Sequence, residues 1–351
     1  VQSLAAAGVG NWPHLLAAAA AEPDGPPTFD GVDASSANMI LNARGLRTVP
    51  ERLFKLTHLH VLSLNTNNLQ ALPLGVGALT ALRVLRLYNN ALTTLPDELA
   101  LTAAHLEVLD VGRNKFTAVP PVVERLTSLV ELHMHWNEIG AVPRTLAALT
   151  RLQSCNLSIN ALRDVDPALG ALGARGRLHL LDVSHCRFTA LPAALTALRL
   201  SVLKCVGADI TALPACVGDM SALQQLDLSC NRVRALPDAV NRCTALRSLS
   251  LRNNAVLRRL PRSLAGLAHL RELCVCENSL ARCDAVCDLP ALEKLFVWKN
   301  ALVELPAALG RLTSLVLLDA SHNRLTALPP SIGALGALRS LHVSHNRLRR
   351  V

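Results

Sequence analysis

The chain has 351 residues, of which 51% are apolar, 17% charged and 3% aromatic, with a net charge of +9. This is too long for one compact core, and so few aromatics leave Leu, Ala and Val to fill the interior; an elongated repeat array fits both facts better than two or three globular domains. The low charge argues against disorder, and no apolar run approaches the roughly 18 residues that a membrane-crossing helix needs.

Residues 1–36 carry no repeat and read as an N-terminal cap or linker. Pro13 to Ala21 predicts a short helix and Glu22 to Pro27 a loop. The opening stretch lacks the basic segment of a secretory signal. With no initiator Met, the chain is expected to be a fragment or a processed product. From residue 37 a pattern recurs. Asn67, Asn90, Asn114, Asn137 and Asn160 are spaced by 23 or 24 residues, and Asn231, Asn254, Asn278, Asn300, Asn323 and Asn346 continue the series. Around each stands L-x-x-L-x-L-x-x-N-x-L, usually followed by x-x-L-P. The second unit has Leu59, Leu62, Leu64, Asn67, Leu69, Leu72 and Pro73. Fourteen units are legible. The first is degenerate (Met39, Leu41, Arg44, Leu46), and Cys186 and Ala208 replace Asn in the seventh and eighth.

Each part of the unit has a physical role. The L-x-L alternation predicts a short strand with one buried face. The Asn amide can bond backbone groups that no strand partner reaches, so stacked units form a ladder. Leu-Pro then turns the chain to a convex side, anchored by pairs such as Val76 and Leu79, or Leu309 and Leu312. The expected architecture is an α/β leucine-rich-repeat horseshoe of about 14 repeats over residues 37–351, with a parallel concave sheet. Its 23-residue unit ending in Leu-Pro resembles the intracellular Ras-associated and plant Ras-group leucine-rich-repeat scaffolds, not the G-x-I-P repeats of plant receptor kinases. That resemblance implies a non-enzymatic protein-interaction scaffold. It also implies a partner such as a small GTPase, a phosphatase or a kinase.

Three irregularities stand out. The step from Asn160 to Cys186 spans 26 residues and holds Gly170, Gly173 and Gly176. Residues 165–215 are therefore a weaker stretch of ladder, either a tolerated loop insertion or a hinge. Val351 stands where a unit's last core leucine belongs, so a C-terminal cap is apparently missing. All ten cysteines lie between Cys155 and Cys287, inside the array. No disulfide-bonded cap is therefore expected, which points to the cytoplasm or nucleus, with the cytoplasm the expected compartment.

No phosphate loop, nucleophile elbow, metalloprotease helix or dinucleotide fingerprint occurs, so neither catalysis nor a cofactor is expected. Cys274, Cys276, Cys283 and Cys287 imitate zinc spacing. However, the repeat frame puts the first pair on the concave face and the second on the turn and convex side, where four ligands cannot converge. Cys155, Cys205 and Cys243 replace core apolar residues. The concave positions carry eleven basic and nine acidic residues. That balance excludes the basic stripe of a nucleic-acid site. No small-molecule substrate is expected.

Asp182/Ser184, Asp227/Ser229 and Asp319/Ser321 read as ordinary filling of an exposed face. Two clusters depart from it. One combines Arg86, Tyr88, Arg113, Lys115, His133, His135 and Trp136 with Asp110, Glu131 and Glu138. The other combines Lys294, Phe296, Trp298 and Lys299. Phe116 and Phe188 are the expected core aromatics, whereas Tyr88, Trp136, Phe296 and Trp298 fall on the concave face. Aromatics beside Arg and Lys are the composition of binding hot spots. The alternative for Trp136 and Trp298 is packing along neighbouring strands. His133 and His135 lack a third partner for a metal. The sequence reads as a scaffold that holds a folded protein on its concave face. A structural or targeting module, or the substrate-sensing part of a larger enzyme such as a ubiquitin ligase, is the alternative.

Overall fold

The computed structural model describes residues 36–166 and 177–349. The expected N-terminal helix and loop, the glycines at 170, 173 and 176, and Val351 lie outside the described residues. Fourteen three-residue strands, from β1 (Asn38–Ile40) to β14 (Ser340–His342), form one parallel sheet in which spatial order equals chain order. Each strand centres on the second core position of its unit, a leucine everywhere except Met39 in β1 and Cys155 in the sixth strand. These leucines pair in register, as Leu62 with Leu85 and Leu85 with Leu109. The flanking leucines point the same way, and Leu59, Leu62, Leu64 and Leu69 are fully buried.

The return path is short, because a 23-residue unit leaves few residues for it. It is built from 3-10 turns rather than α-helices, such as Leu74–Ala78, which follows Pro73 at φ −62° and ψ 150°. Proline pre-sets that φ and has no N–H to satisfy at the turn's start. Val76 and Leu79 are buried beneath it, as are Leu309 and Leu312.

The asparagine ladder closes the other edge. Asn137 Nδ2 donates to the carbonyls of Val111, Met134 and His135 at 3.1, 3.0 and 3.3 Å, and its Oδ1 accepts from Phe116 N at 3.0 Å. To bring the amide inward, the residue before it takes a left-handed backbone. Arg113, Trp136 and Lys299 have φ of 51°, 56° and 54°. Side chains at these positions are thereby thrown outward at the rim of the concave face. In the seventh unit the Cys186 thiol donates to the Leu157 carbonyl at 3.5 Å, in place of the amide. Where Ala208 stands, its N–H donates to Asn231 Oδ1 at 3.0 Å. Strand pairing runs through this stretch without a break, Cys155 with Leu181 and Leu181 with Leu203.

Several positions differ from the sequence reading. Ser229 is not exposed. It is 8% accessible, and its hydroxyl lies 2.5 Å from Asp227 Oδ1 and 2.7 Å from Ser250 Oγ. Asp110 and His133, expected on the surface, are buried at 6% and 9%, and Cys276 is fully covered. The concave face is crowded because adjacent strands shade each other's side chains. Phe54 joins Phe116 and Phe188 in the core, beneath the first convex turn.

Candidate protein-binding face

The first cluster sits on β3 (Val84–Arg86), β4 (Val108–Asp110), β5 (Glu131–His133) and the residues that follow each. Tyr88, Gly112 and His135 occupy the same place in three successive units, two residues before the ladder asparagine. Parallel strands stack ~4.8 Å apart, so the outer two are about 9.6 Å from each other and meet only if the middle residue is small. Gly112 provides the gap. A Cβ there would stand 2.5 Å from His135 Cε1. The imidazole lies across the glycine and stacks on Tyr88, with centroids 5.5 Å apart and planes at 25°. His133 meets His135 edge-on at 6.4 Å.

Burial pushes the His135 pKa down. Asp110 opposes that shift, and His133 adds to it. Its Nδ1 is buried without a hydrogen-bond partner. His133 Nε2 lies 3.3 Å from Glu131 Oε2, and that hydrogen bond holds the Glu131 carboxyl below its usual range despite burial. Asp110 is spent locally, accepting from Gly112 N at 3.0 Å. At the rim the Arg113 guanidinium sits 5.5 Å over the Trp136 ring, and Trp136 is 47% exposed. Arg86, Lys115 and Glu138 are exposed.

The second cluster repeats the plan on β10 (Ser248–Ser250), β11 (Glu272–Cys274) and β12 (Lys294–Phe296). Arg252, Cys276 and Trp298 hold the corresponding places. Cys276 is the small middle residue, and Arg252 reaches over it to lie 5.4 Å above the Trp298 ring. Its Nη2 and Nε donate to Glu277 Oε1 at 2.8 and 3.0 Å, and Lys299 Nζ donates to Glu277 Oε2 at 3.1 Å. Burial raises the Glu277 pKa, but the hydrogen bonds and charges of Arg252 and Lys299 together hold it below the usual carboxylate value. Lys294 pairs with Glu272 at 3.4 Å. Phe296 and Trp298 are half-buried.

The structure thus brings the eleven expected residues into two patches but sorts them unequally. His133 is covered, Lys294 and Lys299 are neutralised by acidic neighbours, and Trp136 is the most exposed aromatic. Arg252 and Glu277, not singled out in the sequence reading, organise the second patch. The signal for them was the register: a large residue at the same place two units from an aromatic, with a small one between. The Asp-x-Ser pairs are internally satisfied, since Ser184, Ser229 and Ser321 donate their N–H groups to Asp182, Asp227 and Asp319. No group of three or more His, Cys, Asp or Glu that could hold a metal ion occurs among the described residues. Cys283 and Cys287 are buried at the convex turn, away from Cys274 and Cys276. No helix among the described residues is long and apolar enough to cross a membrane.

An open parallel solenoid with a side-chain-rich concave face is the form of a protein-interaction module. The leucine-rich-repeat family model matches residues 80–139, 218–280 and 290–348, more than half of the chain, and the protein belongs to that family. A leucine-rich-repeat protein of Leptospira interrogans superposes with a TM-score of 0.76 at 25% identity, covering 86% of this chain and 82% of that one. A chain of the Toll–Spatzle complex of Drosophila also gives 0.76, at 23% identity, covering 86% of this chain and 43% of that one. Among curated proteins, the adenylate cyclase of Schizosaccharomyces pombe is 24% identical over 160 residues, which are 45% of this chain and 10% of the cyclase. The adenylate cyclase of Neurospora crassa is 29% identical over 99 residues, 28% of this chain and 4% of the cyclase. The chain therefore spans a tenth or less of these curated relatives.

Proposed function

We propose that this protein is a non-enzymatic scaffold that holds a folded signalling protein against its concave face. The observation that carries the reading is the pair of aromatic–cation stacks, Tyr88/His135 with Arg113/Trp136, and Arg252/Trp298. They lie seven units apart, roughly 34 Å along the sheet at ~4.8 Å per strand. A short peptide in one pocket has no use for both. A folded domain of that width touches both and buries on the order of 1,600 Å². The resemblance to Ras-associated scaffolds suggests a small GTPase, a phosphatase or a kinase, and a cytoplasmic setting. The near balance of concave charge and the ion-paired lysines speak for protein rather than nucleic acid.

Affinity capture with the intact chain identifies the partner. Trp136→Ala and Trp298→Ala are then titrated against it, and each is expected to weaken binding by about 2 kcal/mol. Circular dichroism controls for folding, chiefly at half-buried Trp298. Loss at one site alone means a smaller partner. Unchanged affinity at both sinks the concave-face reading.

A second reading has one observation in its favour. The fungal adenylate cyclases contain a similar segment as a small share of a much larger enzyme. By analogy, the solenoid would serve as the sensing part of a larger multidomain enzyme.

A further inference from the structure

The second patch covers a pair of thiols. Cys274 and Cys276 stand on one face of the chain at β11, two residues apart, with Sγ atoms 3.5 Å from each other. An extended chain advances ~3.3 Å per residue, which puts their Cα atoms about 6.6 Å apart. That lies within the span a disulfide bridges, so the pair can close with a small local adjustment. Cys276 is fully covered while Cys274 is half-buried, so a small oxidant reaches Cys274 first.

The surroundings of Cys274 select it as the nucleophile. The hydrogen bond between the two thiols, one with Ser250 and the positive charge of Arg252 hold its thiol below the ordinary value, against the effect of burial. Burial pushes Cys276 the other way. Elsewhere burial raises the thiols: Cys155, Cys186 and Cys283 to about 12, Cys243 and Cys287 to about 11. The thiolate is the form that attacks.

We propose that Cys274 and Cys276 form a thiol oxidation site for hydrogen peroxide, with Cys274 the attacked residue and Cys276 the resolving one. In the first step the Cys274 thiolate attacks one peroxide oxygen. An S–O bond forms and the O–O bond breaks, and the departing hydroxide takes a proton from solvent to become water. In the second step Cys276 Sγ attacks Cys274 Sγ. The S–S bond forms, the S–O bond breaks, and the leaving hydroxide carries off the Cys276 proton as a second water. The two thiols are oxidised by two electrons and the peroxide is reduced to water. This chemistry does not rest on the partner reading, although the bridge forms directly beneath Arg252 and Trp298.

The test is a peptide map of the whole reduced chain after one equivalent of hydrogen peroxide, alkylation and trypsin. Cleavage after Arg271 and Arg282 releases residues 272–282, whose only cysteines are this pair. The expected result is that peptide two hydrogens lighter and unalkylated, restored by dithiothreitol, while exposed Cys230 remains alkylated. In Cys276→Ser, dimedone should label Cys274. In Cys274→Ser it should leave Cys276 unlabelled. The wild-type map stands even if a variant fails to fold. A fully alkylated 272–282 peptide alongside oxidised Cys230 would show that exposure alone governs reactivity and would overturn the proposal. Dimedone on Cys276 instead of Cys274 would overturn the assignment of roles.

Discussion

Replacing Gly112 by alanine tests how the first patch is built. The new Cβ would stand 2.5, 2.8 and 2.9 Å from three atoms of the His135 ring, well inside contact distance. The obstacle is the end of a side chain, so the imidazole swings outward by about 1 Å or more to regain the ordinary ~3.5–4.0 Å carbon–carbon separation. It then leaves Tyr88, with a loss of ~0.5–1.5 kcal/mol of stacking. Against this, Gly→Ala restricts the unfolded chain and contributes ~0.4–1 kcal/mol, because Gly112 is not among the positive-φ residues. Net stability should therefore change by less than about 1 kcal/mol at neutral pH.

The sharper readout is the titration of His135. Burial depresses its pKa in the native chain, so protonation opposes folding. Stability is lost as pH falls from about 6.5, the unfolded value, to the depressed native one, and changes no further below that. Freeing the ring should raise its pKa toward 6.5 and flatten this loss. The assay is the His135 Cε1–H resonance followed against pH, with urea unfolding at pH 7.5 and 5.5. An unchanged midpoint in Gly112→Ala would mean that the ring is not seated on the glycine. A loss of several kcal/mol would mean that it cannot move, and either result refutes the geometry.

Trp136→Asn should raise stability by about 1 kcal/mol, since a bulky residue at φ 56° is strained where asparagine is tolerated, while weakening partner binding; thermal denaturation and a binding titration read the two effects separately. Asn137→Ala should cost roughly 1–3 kcal/mol in urea unfolding, because the Phe116 N–H loses its acceptor and the Val111, Met134 and His135 carbonyls each lose one of their two donors. Ser229→Ala should cost about 1 kcal/mol, as its hydroxyl is buried between Asp227 and Ser250; no change would place it back on an open surface. The depressed Glu277 carboxyl contributes stability that is present above its ordinary value near 4.5 and is lost as pH falls through its lower native value. Acid titration of Glu277→Gln by circular dichroism should show that part of the loss removed.

Much of the fold was legible in the spacing of residues. An L-x-L pair has one physical solution as a half-buried strand, and an asparagine every 22 to 24 residues has one as a stacked ladder. The fourteen strands, their parallel order and the residues beneath them follow from that periodicity. So does the assignment of Tyr88, Trp136, Phe296 and Trp298 to the concave face. What remained closed was everything that depends on two units at once. The repeat frame states which way a side chain leaves the chain, not what stands beside it 4.8 or 9.6 Å away. Only the stacked sheet showed that Gly112 leaves room for His135 on Tyr88, and that Cys276 lets Arg252 reach Trp298. Only the stack showed Glu277 holding two cations and Ser229 hidden under its neighbours. Orientation is a property of local backbone geometry and is carried by a unit's own residues. Burial, ion pairing and thiol reactivity depend also on the size and charge of neighbours more than twenty residues away in the chain, as Ser250 and Arg252 are from Cys274 and Arg252 from Glu277, so tertiary structure decided them.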